Sequence, residues 1–354
     1  MTGIPPVIDV TDINGSNGFR ILGSPTLEEA GSSVSIGDVN GDGLADVIVG
    51  APGIAWYGYG IDFSAYVIFG RGSDDIPIAS TVSTANLDPA AGFGMSVGEG
   101  NAVSYAGDFN GDGIGDFMVS APDYGTNDQG ATYIIFGNGG GAPNSYISIE
   151  GGEAAGIVGD RSGYSVAALG DVNGDGFDDV LISSPHAAGD GRWWSGVSYV
   201  VYGNASGANI DLANFNASEG FRIIGSQYES IGQSVSAAGD VNGDGRMDFL
   251  IGVSNAGSDG NWLAGSTYLI YGSDSGADVD LANLSPSQGV RLDGEFESQS
   301  GFSVSAAGDV NGDGLADMII GAPEPLSFSG QGGGSAFVVF GKAGGLSNTN
   351  PRDG

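Results

Sequence analysis

The chain has 354 residues, with 43 acidic side chains against nine basic ones, a single histidine and no cysteine, and its formal net charge is −34. So large a negative charge excludes a nucleic-acid-binding protein, because such binding depends on Lys and Arg side chains that neutralise phosphates. Without cysteine there can be no disulfides, so packing and bound metal have to stabilise the fold.

The beginning of the chain predicts neither a membrane helix nor a visible export signal. The sequence MTGIPPVIDV lacks the basic and apolar regions of a secretory signal peptide. No stretch of the chain approaches the roughly 20 apolar residues that a membrane-spanning helix needs. We therefore expect no transmembrane segment, and either a chain cut from a longer protein or export by another signal.

Along the chain, one acidic loop recurs five times. The copies read DVNGDGLAD (residues 38–46), DFNGDGIGD (108–116), DVNGDGFDD (171–179), DVNGDGRMD (240–248) and DVNGDGLAD (309–317). Their first aspartates are 70, 63, 69 and 69 residues apart. A repeat of this period predicts a modular β architecture.

Each loop places oxygen ligands on alternate residues, which is the pattern that Ca²⁺ requires. The expected ligands are the side chains at loop positions one, three, five and nine and the backbone carbonyl at position seven. One Ca²⁺ per repeat, and about five in the chain, is therefore predicted. The predicted ligands are Asp38, Asn40, Asp42, Leu44 and Asp46; Asp108, Asn110, Asp112, Ile114 and Asp116; Asp171, Asn173, Asp175, Phe177 and Asp179; Asp240, Asn242, Asp244, Arg246 and Asp248; and Asp309, Asn311, Asp313, Leu315 and Asp317.

Two other readings of the loop fit the sequence less well. An EF-hand needs a glutamate at position twelve and flanking helices, whereas position twelve here is always Val or Ile, inside an apolar run that predicts a strand. Neither an EF-hand nor a dockerin therefore fits. The second reading is that Asn-Gly and Asp-Gly only mark tight turns, but a turn does not require the aspartate at position nine.

Four strand-like segments, A to D, surround each loop. Strand A leads into the loop and strand B leaves it. Strand C follows a glycine-rich stretch and reads SAYVIFG, ATYIIFG, VSYVVYG, STYLIYG or SAFVVFG. Strand D is clearest as FRIIG (221–225) and VRLDG (290–294). Alternating aromatic and β-branched residues between glycines are typical of strands, so the sequence predicts an all-β propeller of four-stranded antiparallel blades.

The two ends of the chain suggest how such a propeller would close. The fifth repeat stops after strand C, and FRILG at residues 19–23 matches a strand D. We expect this N-terminal strand to join the last blade and close a five-bladed ring, because closure removes exposed strand edges. The expected propeller is one domain over residues 1–342, with blades at 31–99, 100–160, 161–229, 230–298 and 299–342 plus 17–24, followed by a C-terminal tail at 343–354. The alternative is a slice of a larger ring.

With these motifs, the chain resembles the FG-GAP repeats of the integrin α-subunit β-propeller and of related bacterial surface and secreted proteins over about residues 17–342. The Phe-Gly of the family is kept at residues 93–94, and Gly-Ala-Pro at residues 50–52 and 321–323. The resemblance implies that the calcium loops lie on the lower face and that the B–C and D–A loops form an upper, ligand-binding face. Integrin rings have seven blades, of which only some carry the loop. Here all five repeats carry it and no leg domains follow, which argues against an integrin subunit.

Aromatic residues in the B–C stretches indicate a ligand surface on that upper face. All four tryptophans lie in these stretches, with Tyr124 and Phe328 among the other aromatic residues there. Aromatic side chains are enriched at binding hot spots. The alternative is that the rings fold back over glycine-rich loops. The predicted ligand-binding residues are Trp56, Tyr57, Tyr59, Trp193, Trp194 and Trp262.

The sequence therefore predicts a secreted, extracellular or cell-surface calcium-binding module for adhesion or recognition. Its expected partner is a glycan or a cell-surface or matrix protein, and the chain is expected to be a monomer or a domain of a larger protein. No catalytic residues are predicted, because the single histidine, His186, has no catalytic partner near it in the sequence. The alternative, which the family resemblance suggests, is the propeller domain of a secreted polysaccharide-degrading or phospholipase-type enzyme.

Overall fold

The structure is a computed structural model that describes residues 10–15, 17–24, 28–53, 64–72, 80–97, 100–125, 127–151, 159–257, 263–323 and 333–346. In these ranges the chain forms strands joined by loops and short 3₁₀ helices. The strands of the first half are β1 Arg20–Leu22, β2 Val34–Gly37, β3 Asp46–Gly50, β4 Ala65–Ile68, β5 Thr81–Ser83, β6 Gly92–Met95, β7 Val103–Gly107, β8 Asp116–Ala121, β9 Ala131–Ile135, β10 Tyr146–Glu150, β11 Val166–Gly170 and β12 Asp179–Ser184. Those of the second half are β13 Val197–Val201, β14 Ile210–Asp211, β15 Gly220–Ile224, β16 Ser234–Gly239, β17 Asp248–Val253, β18 Ser266–Ile270, β19 Val279–Asp280, β20 Gly289–Asp293, β21 Ser303–Gly308, β22 Asp317–Ala322 and β23 Ser335–Val339.

Five antiparallel sheets follow one another along the chain, one for each acidic loop. Blades 1 to 4 have four strands in the order A–B–C–D: β2–β3–β4–β6, β7–β8–β9–β10, β11–β12–β13–β15 and β16–β17–β18–β20. Blade 5 is β21–β22–β23. The prediction of an all-β, propeller-like fold with antiparallel blades is confirmed.

Three short strands join neighbouring blades, and the sequence analysis missed them. The segment between strands C and D of a blade pairs in parallel with strand D of the blade before it: β14 with β10, and β19 with β15. In the same way β5, from blade 1, pairs with β1. Short 3₁₀ helices follow these strands at Thr84–Asn86, Leu212–Asn214 and Leu281–Asn283. Strands β1, β10 and β15 are thereby each tied to the following blade by backbone hydrogen bonds.

The hydrophobic core lies in layers between consecutive blades. Strands β8, β12 and β17 are buried along their whole length, because neighbouring blades cover both of their faces. Between blades 3 and 4, for example, Leu181 and Val200 belong to the same apolar cluster as Phe249 and Ile251. Blades 2, 3 and 4 are therefore each stabilised by two neighbours.

The expected closure of a five-bladed ring is not observed. β1 pairs with β5, and β23 pairs with β22; the described residues show no pairing between β1 and β23. The sequence identifies β1 as a D-type strand, but the angle between successive blades depends on how their side chains pack. In the part of the chain that the structure describes, the five blades therefore form an open arc, and the number of blades in a closed ring stays a prediction.

Candidate metal sites

All five acidic loops connect strand A to strand B, as predicted. The residues at loop position twelve are buried in the strands that follow the loops, which agrees with the rejection of an EF-hand. Those residues are Val49, Val119, Ile182, Ile251 and Ile320. The loops therefore share one end of the blades with the C–D connections, while the B–C and D–A connections lie at the opposite end.

The first aspartate of each loop organises the backbone. In the first loop, Asp38 Oδ1 accepts hydrogen bonds from the N–H groups of Gly41 (2.7 Å) and Asp42 (3.2 Å), and Asp38 Oδ2 accepts one from Gly43 N–H (2.8 Å). Gly41 and Gly43 have φ values of 73° and 85°, which residues with a Cβ seldom adopt. The corresponding Asp108, Asp171, Asp240 and Asp309 accept from positions five and six of their loops, and Asp171, Asp240 and Asp309 also accept from the glycine at position four.

Positions three and five hold each other in place. Asn40 Nδ2 donates to Asp42 Oδ2 (3.1 Å), while Asn40 Oδ1 accepts from Asp42 N–H (2.9 Å). Asp42 Oδ1 accepts from the N–H of Leu44 (2.8 Å), the residue whose carbonyl is the predicted position-seven ligand. The other four loops repeat these contacts. Each loop therefore gathers two carboxylates and one amide oxygen around a short turn.

The aspartate at position nine has a structural role that sequence reasoning missed. Asp46 is fully buried; its Oδ2 accepts from Val39 N–H (3.0 Å) and its Oδ1 from Gly70 N–H (2.8 Å). Gly70 lies two residues after the end of strand C, and a Cβ built there would lie 2.6 Å from Ala45 O. Asp116, Asp179, Asp248 and Asp317 are equally buried and bind Gly137, Gly203, Gly272 and Gly341 in the same way. The glycine after every strand C was the sequence signal for this anchor.

Burial raises the pKa of the carboxyl groups of Asp46, Asp116, Asp179 and Asp248. The pKa of Asp116, Asp179 and Asp248 rises to about 7, and that of Asp46 also rises. Desolvation is the largest cause; the two backbone hydrogen bonds lower the pKa again, and like-charge repulsion from the aspartates at positions five and one adds a smaller rise. A cation bound in the loop would offset both effects.

The donors fit Ca²⁺ by their chemistry, since each loop offers carboxylate, amide and carbonyl oxygens. Among the described residues, however, no three acidic or histidine side chains already converge as a preformed cluster. The carboxylate at position nine of each loop accepts hydrogen bonds from at least two backbone N–H groups, one of them after strand C. Each loop therefore carries oxygen groups of the kinds that bind Ca²⁺. The side chains at positions one, three and five lie close together, and the carboxylate at position nine is buried at the start of strand B.

The opposite end of the blades exposes aromatic side chains. Trp193 and Trp194, from the B–C loop of blade 3, are 49% and 37% exposed. Their carbonyl groups accept hydrogen bonds from the N–H groups of Tyr228 (2.9 Å) and Ser230 (2.8 Å), in the D–A loop that leads into blade 4. The predicted residues Trp56, Tyr57, Tyr59 and Trp262 lie outside the described residues. Tyr124, which the sequence counted among the aromatic residues of the B–C stretches, is also exposed at this end. Further exposed aromatic residues there, which were not predicted, are Tyr164, Tyr228, Phe296 and Phe302.

His186 lies beside this aromatic surface. Its ring centroid is 4.9 Å from that of Trp194, and burial followed by the charge of Arg161 lowers its pKa. Arg161 itself pairs with Asp123, with Nε 2.9 Å from Oδ1. The histidine is therefore neutral near pH 7 and packs against a tryptophan.

None of the helices in the described ranges is long and apolar enough to cross a membrane.

Comparison with known proteins identifies the repeat. The family model for the FG-GAP repeat matches residues 30–62, 100–135, 162–194, 232–268 and 300–339, which together make up half of the chain. Each match contains one acidic loop and the strands on either side of it.

Relatives share these repeats at moderate identity. The chain is 27% identical over 319 residues to integrin alpha-PS2 of Drosophila melanogaster, covering 83% of this chain and 21% of the relative. It is 31% identical over 194 residues to phosphatidylinositol-glycan-specific phospholipase D of Homo sapiens, covering 53% of this chain and 22% of the relative. The chain thus spans about a fifth of the length of these relatives.

Among solved structures, a crystal structure of BBS1N in complex with ARL6DN, soaked with lead, aligns with a TM-score of 0.44 and 10% identity, covering 89% of this chain and 70% of that chain. The five matched repeats, rather than this alignment, identify the fold family. The chain belongs to the FG-GAP repeat family.

Proposed function

We propose that this protein is a calcium-binding recognition module that acts outside the cell, with metal at one end of its blades and a ligand surface at the other. The proposal rests on one observation: the acidic loops and the exposed aromatic side chains lie at opposite ends of the blades. Five acidic loops lie at the A–B end, and seven exposed aromatic side chains of the described residues lie at the B–C and D–A end. Metal binding at one end therefore leaves the other free for a partner.

In this proposal calcium has a structural role. Asp, Asn and Asp side chains at positions one, three and five, the carbonyl at position seven and the buried aspartate at position nine would hold the ion. Bound calcium would supply positive charge to a loop whose carboxylates repel one another. The position-nine aspartate joins the loop to strand C, so stabilising the loop also stabilises the hairpin and the strand beside it.

The expected ligand is a glycan or a cell-surface or matrix protein. Exposed Trp and Tyr rings provide flat apolar surface with a polar edge, which suits both sugar rings and protein loops. The net charge of −34 opposes nucleic acid and other polyanions. The exposure of Trp193 and Trp194 favours this role over a purely structural one, in which the rings would be covered.

A binding survey tests the ligand surface. The calcium-saturated protein is applied to glycan arrays and to cell-surface and matrix preparations, together with the Trp193→Ala and Trp194→Ala variants. Tyr146→Ala is the matched control, because Tyr146 is an exposed aromatic residue at the start of β10, at the calcium end. We expect binding that either tryptophan variant weakens and the control retains; equal binding by all variants would contradict the proposal.

A second candidate function is a propeller domain of a secreted phospholipase-type or polysaccharide-degrading enzyme. The similarity to a phosphatidylinositol-glycan-specific phospholipase D favours it, although the matched region covers 22% of that relative. The test is hydrolysis of glycosylphosphatidylinositol and polysaccharide substrates by the calcium-saturated chain. Turnover that depends on an acidic residue outside the five loops would support this candidate over the first.

A further inference from the structure

We propose that neighbouring acidic loops bind Ca²⁺ in two coupled pairs, loops 2 and 3 and loops 4 and 5, and that Asp178 couples the first pair. The loops are numbered in chain order, from loop 1 at residues 38–46 to loop 5 at residues 309–317. This coupling rests on the calcium binding proposed above. The contacts between loops differ from one blade junction to the next, and these differences define the pairs.

Asp178, at position eight of loop 3, is bonded to the backbone of loop 2. Its Oδ2 accepts a hydrogen bond from Asp108 N–H (2.7 Å), and its own N–H donates to Asp108 O (3.2 Å). A Cβ at Gly107 would collide with Asp178 Oδ2, so the glycine before Asp108 leaves room for this carboxylate. One residue of loop 3 therefore binds both backbone polar groups of the position-one aspartate of loop 2.

The two linked residues belong to the predicted metal sites on either side. Asp108 is the position-one ligand of loop 2, and its carboxylate organises the backbone of that loop. Asp178 lies between Phe177, whose carbonyl is the predicted position-seven ligand of loop 3, and Asp179, the predicted position-nine ligand. An ion in loop 3 would order Phe177 and Asp179, and with them Asp178. The two hydrogen bonds would extend this ordering to Asp108.

The side chain of Phe177 adds an apolar contact between the same loops. Gly111, at position four of loop 2, has a φ of 75°, and a Cβ there would collide with the ring of Phe177. The residue that supplies the predicted carbonyl ligand of loop 3 thus also packs on the turn of loop 2.

Loops 4 and 5 form a similar contact through backbone groups. Ala316 N–H, at position eight of loop 5, donates to Asp240 O (3.0 Å). A Cβ at Gly243 would lie 3.1 Å from Leu315 Cδ2, at position seven of loop 5. Position eight of loop 5 therefore binds the position-one aspartate of loop 4, through one hydrogen bond instead of two.

The junction between loops 3 and 4 differs. In the part of the chain that the structure describes, residues 171–179 share no hydrogen bond with residues 240–248. A Cβ at Gly174, the position-four glycine of loop 3, would meet nothing within 4 Å. Arg246, at position seven of loop 4, pairs instead with Asp274 of its own blade, with Nε 2.6 Å from Oδ1. Loops 1 and 2 likewise share no hydrogen bond among the described residues.

Charge gives Asp178 a second role in the first pair. Two divalent cations in neighbouring loops would repel each other. Asp178 places a carboxylate at the boundary of loops 2 and 3, where it would offset part of this repulsion. Only loop 3 has an acid at position eight; the other loops have Ala45, Gly115, Met247 and Ala316 there.

Coupling through shared ordering makes binding cooperative. An ion in loop 3 removes part of the conformational freedom that loop 2 would otherwise lose on binding, so the second ion binds more tightly. Such a coupling is reciprocal, and an ion in loop 2 must raise the affinity of loop 3 by the same factor.

Hydrogen–deuterium exchange with mass spectrometry tests the coupling, because the five loops lie in separate peptides. The calcium concentration that gives half-maximal protection is measured for each loop, in the native chain and in variants with one loop disabled. Asn173→Ala combined with Asp175→Ala removes two predicted ligands of loop 3. We expect the midpoint of loop 2 to rise at least ~5-fold in this variant. An unchanged midpoint of loop 2 would overturn the coupling.

Loop 4 provides the matched control. Asn242→Ala combined with Asp244→Ala disables loop 4, and should raise the midpoint of loop 5 while leaving that of loop 3 unchanged. A midpoint of loop 3 that rises as much as that of loop 5 would mean that the loss of any one ion weakens all the loops, and it would overturn the pairing.

Two further variants assign the coupling to Asp178. Asn110→Ala combined with Asp112→Ala disables loop 2, and should raise the midpoint of loop 3 by the factor measured in the opposite direction. Asp178→Ala should raise the midpoint of loop 2 by itself, and disabling loop 3 in that background should raise it no further. A full additional rise in the Asp178→Ala background would overturn the role of this residue.

The same measurements separate this coupling from the proposed function. Calcium-dependent protection in every loop, with midpoints that no other loop influences, would leave calcium binding intact and overturn only the coupling. Absence of calcium-dependent protection in all five loops would contradict the calcium role itself and the coupling with it.

Discussion

At the scale of single residues, the position-nine aspartate determines how the acidic loop is built. Sequence reasoning placed it in the loop and predicted it as a metal ligand, and its role as a ligand stays a prediction. The structure adds that Asp46 and its equivalents are fully buried and bridge the loop to the residue after strand C. That bridge could not be predicted from the loop alone, because Asp46 and Gly70 are 24 residues apart in the chain.

The raised pKa of the buried aspartates predicts that pH and calcium act together. Without metal, a carboxyl group whose folded-state pKa is about 7 contributes stability that is fully present below its unfolded pKa of about 3.9 and is lost as the pH rises through 7. Calcium binds the ionised form. We therefore expect calcium to raise the melting temperature more at pH 8 than at pH 6, as measured by thermal unfolding with calcium or EDTA. An equal rise at both pH values would show that these aspartates do not respond to the metal.

A second residue-scale prediction concerns a buried carboxylate that lacks a partner. Glu229 Oε1 accepts a hydrogen bond from Tyr268 OH (2.5 Å). Asp160 occupies the equivalent position before blade 3, where the equivalent tyrosine is Tyr199, but its side chain is one methylene shorter. Its Oδ1 atom is buried without a hydrogen-bond partner, and burial raises the pKa of the carboxyl group to about 7. We expect Asp160→Glu to raise the free energy of unfolding by about 1 kcal/mol, by restoring this hydrogen bond.

Urea denaturation at pH 8 measures this effect, and the reverse substitution is its control. Glu229→Asp should lower the free energy of unfolding by about 1–3 kcal/mol, since it leaves a buried donor and acceptor unpaired. A stability of Asp160→Glu equal to or below that of the native chain would count against the equivalence of the two positions.

At the scale of secondary-structure elements, the sequence predicted the strands that carry a strong pattern and missed those that do not. Strand C was predicted in all five repeats because a Tyr or Phe followed by aliphatic residues precedes a glycine. Strands β14 and β19 have two residues each, too few to show an alternation. They form because strand D of the preceding blade has a free edge with which they pair. The sequence does not show which strands become neighbours in space.

The close approach of the loop to strand C gives an element-scale prediction. A Cβ at Gly203 would lie 2.4 Å from Asp178 O and 2.7 Å from Phe109 O, whereas a Cβ at Gly139 would meet nothing within 4 Å. We expect Gly203→Ala to destabilise the protein by about 1–3 kcal/mol through overpacking, and Gly139→Ala to change its stability by less than about 0.5 kcal/mol. The two free energies of unfolding, measured by urea denaturation, should differ in this direction; equal values would mean that the contact at Gly203 is loose.

At the scale of the whole molecule, the sequence predicted the family, the blades and the two functional ends, but not the relation between the first and last blades. Repeat matching shows that β1 is a D-type strand. It cannot show whether that strand reaches β23, since small changes of packing at four blade junctions add up across the arc. Because β1 and β23 do not pair, Val34 and Val338 are exposed, whereas the equivalent residues of the other blades are buried.

The large negative charge also acts at this scale. Sixteen of the 43 acidic residues lie in the five loops, so without metal much of the repulsion is concentrated at one end of the blades. A ligand that binds only the folded state stabilises it by RT ln(1 + [L]/Kd), which is about 2.7 kcal/mol for one site at 100 times Kd. With several such sites, calcium would determine much of the stability of the arc.

The most direct test of this account is a calorimetric calcium titration of the chelator-stripped full chain. We predict saturable binding of about five ions per chain, one for each acidic loop, and the loss of one ion when Asp240 and Asp244 are both replaced by Ala. A titration without saturable heat, or an unchanged stoichiometry in that variant, would contradict the assignment of the loops as metal sites.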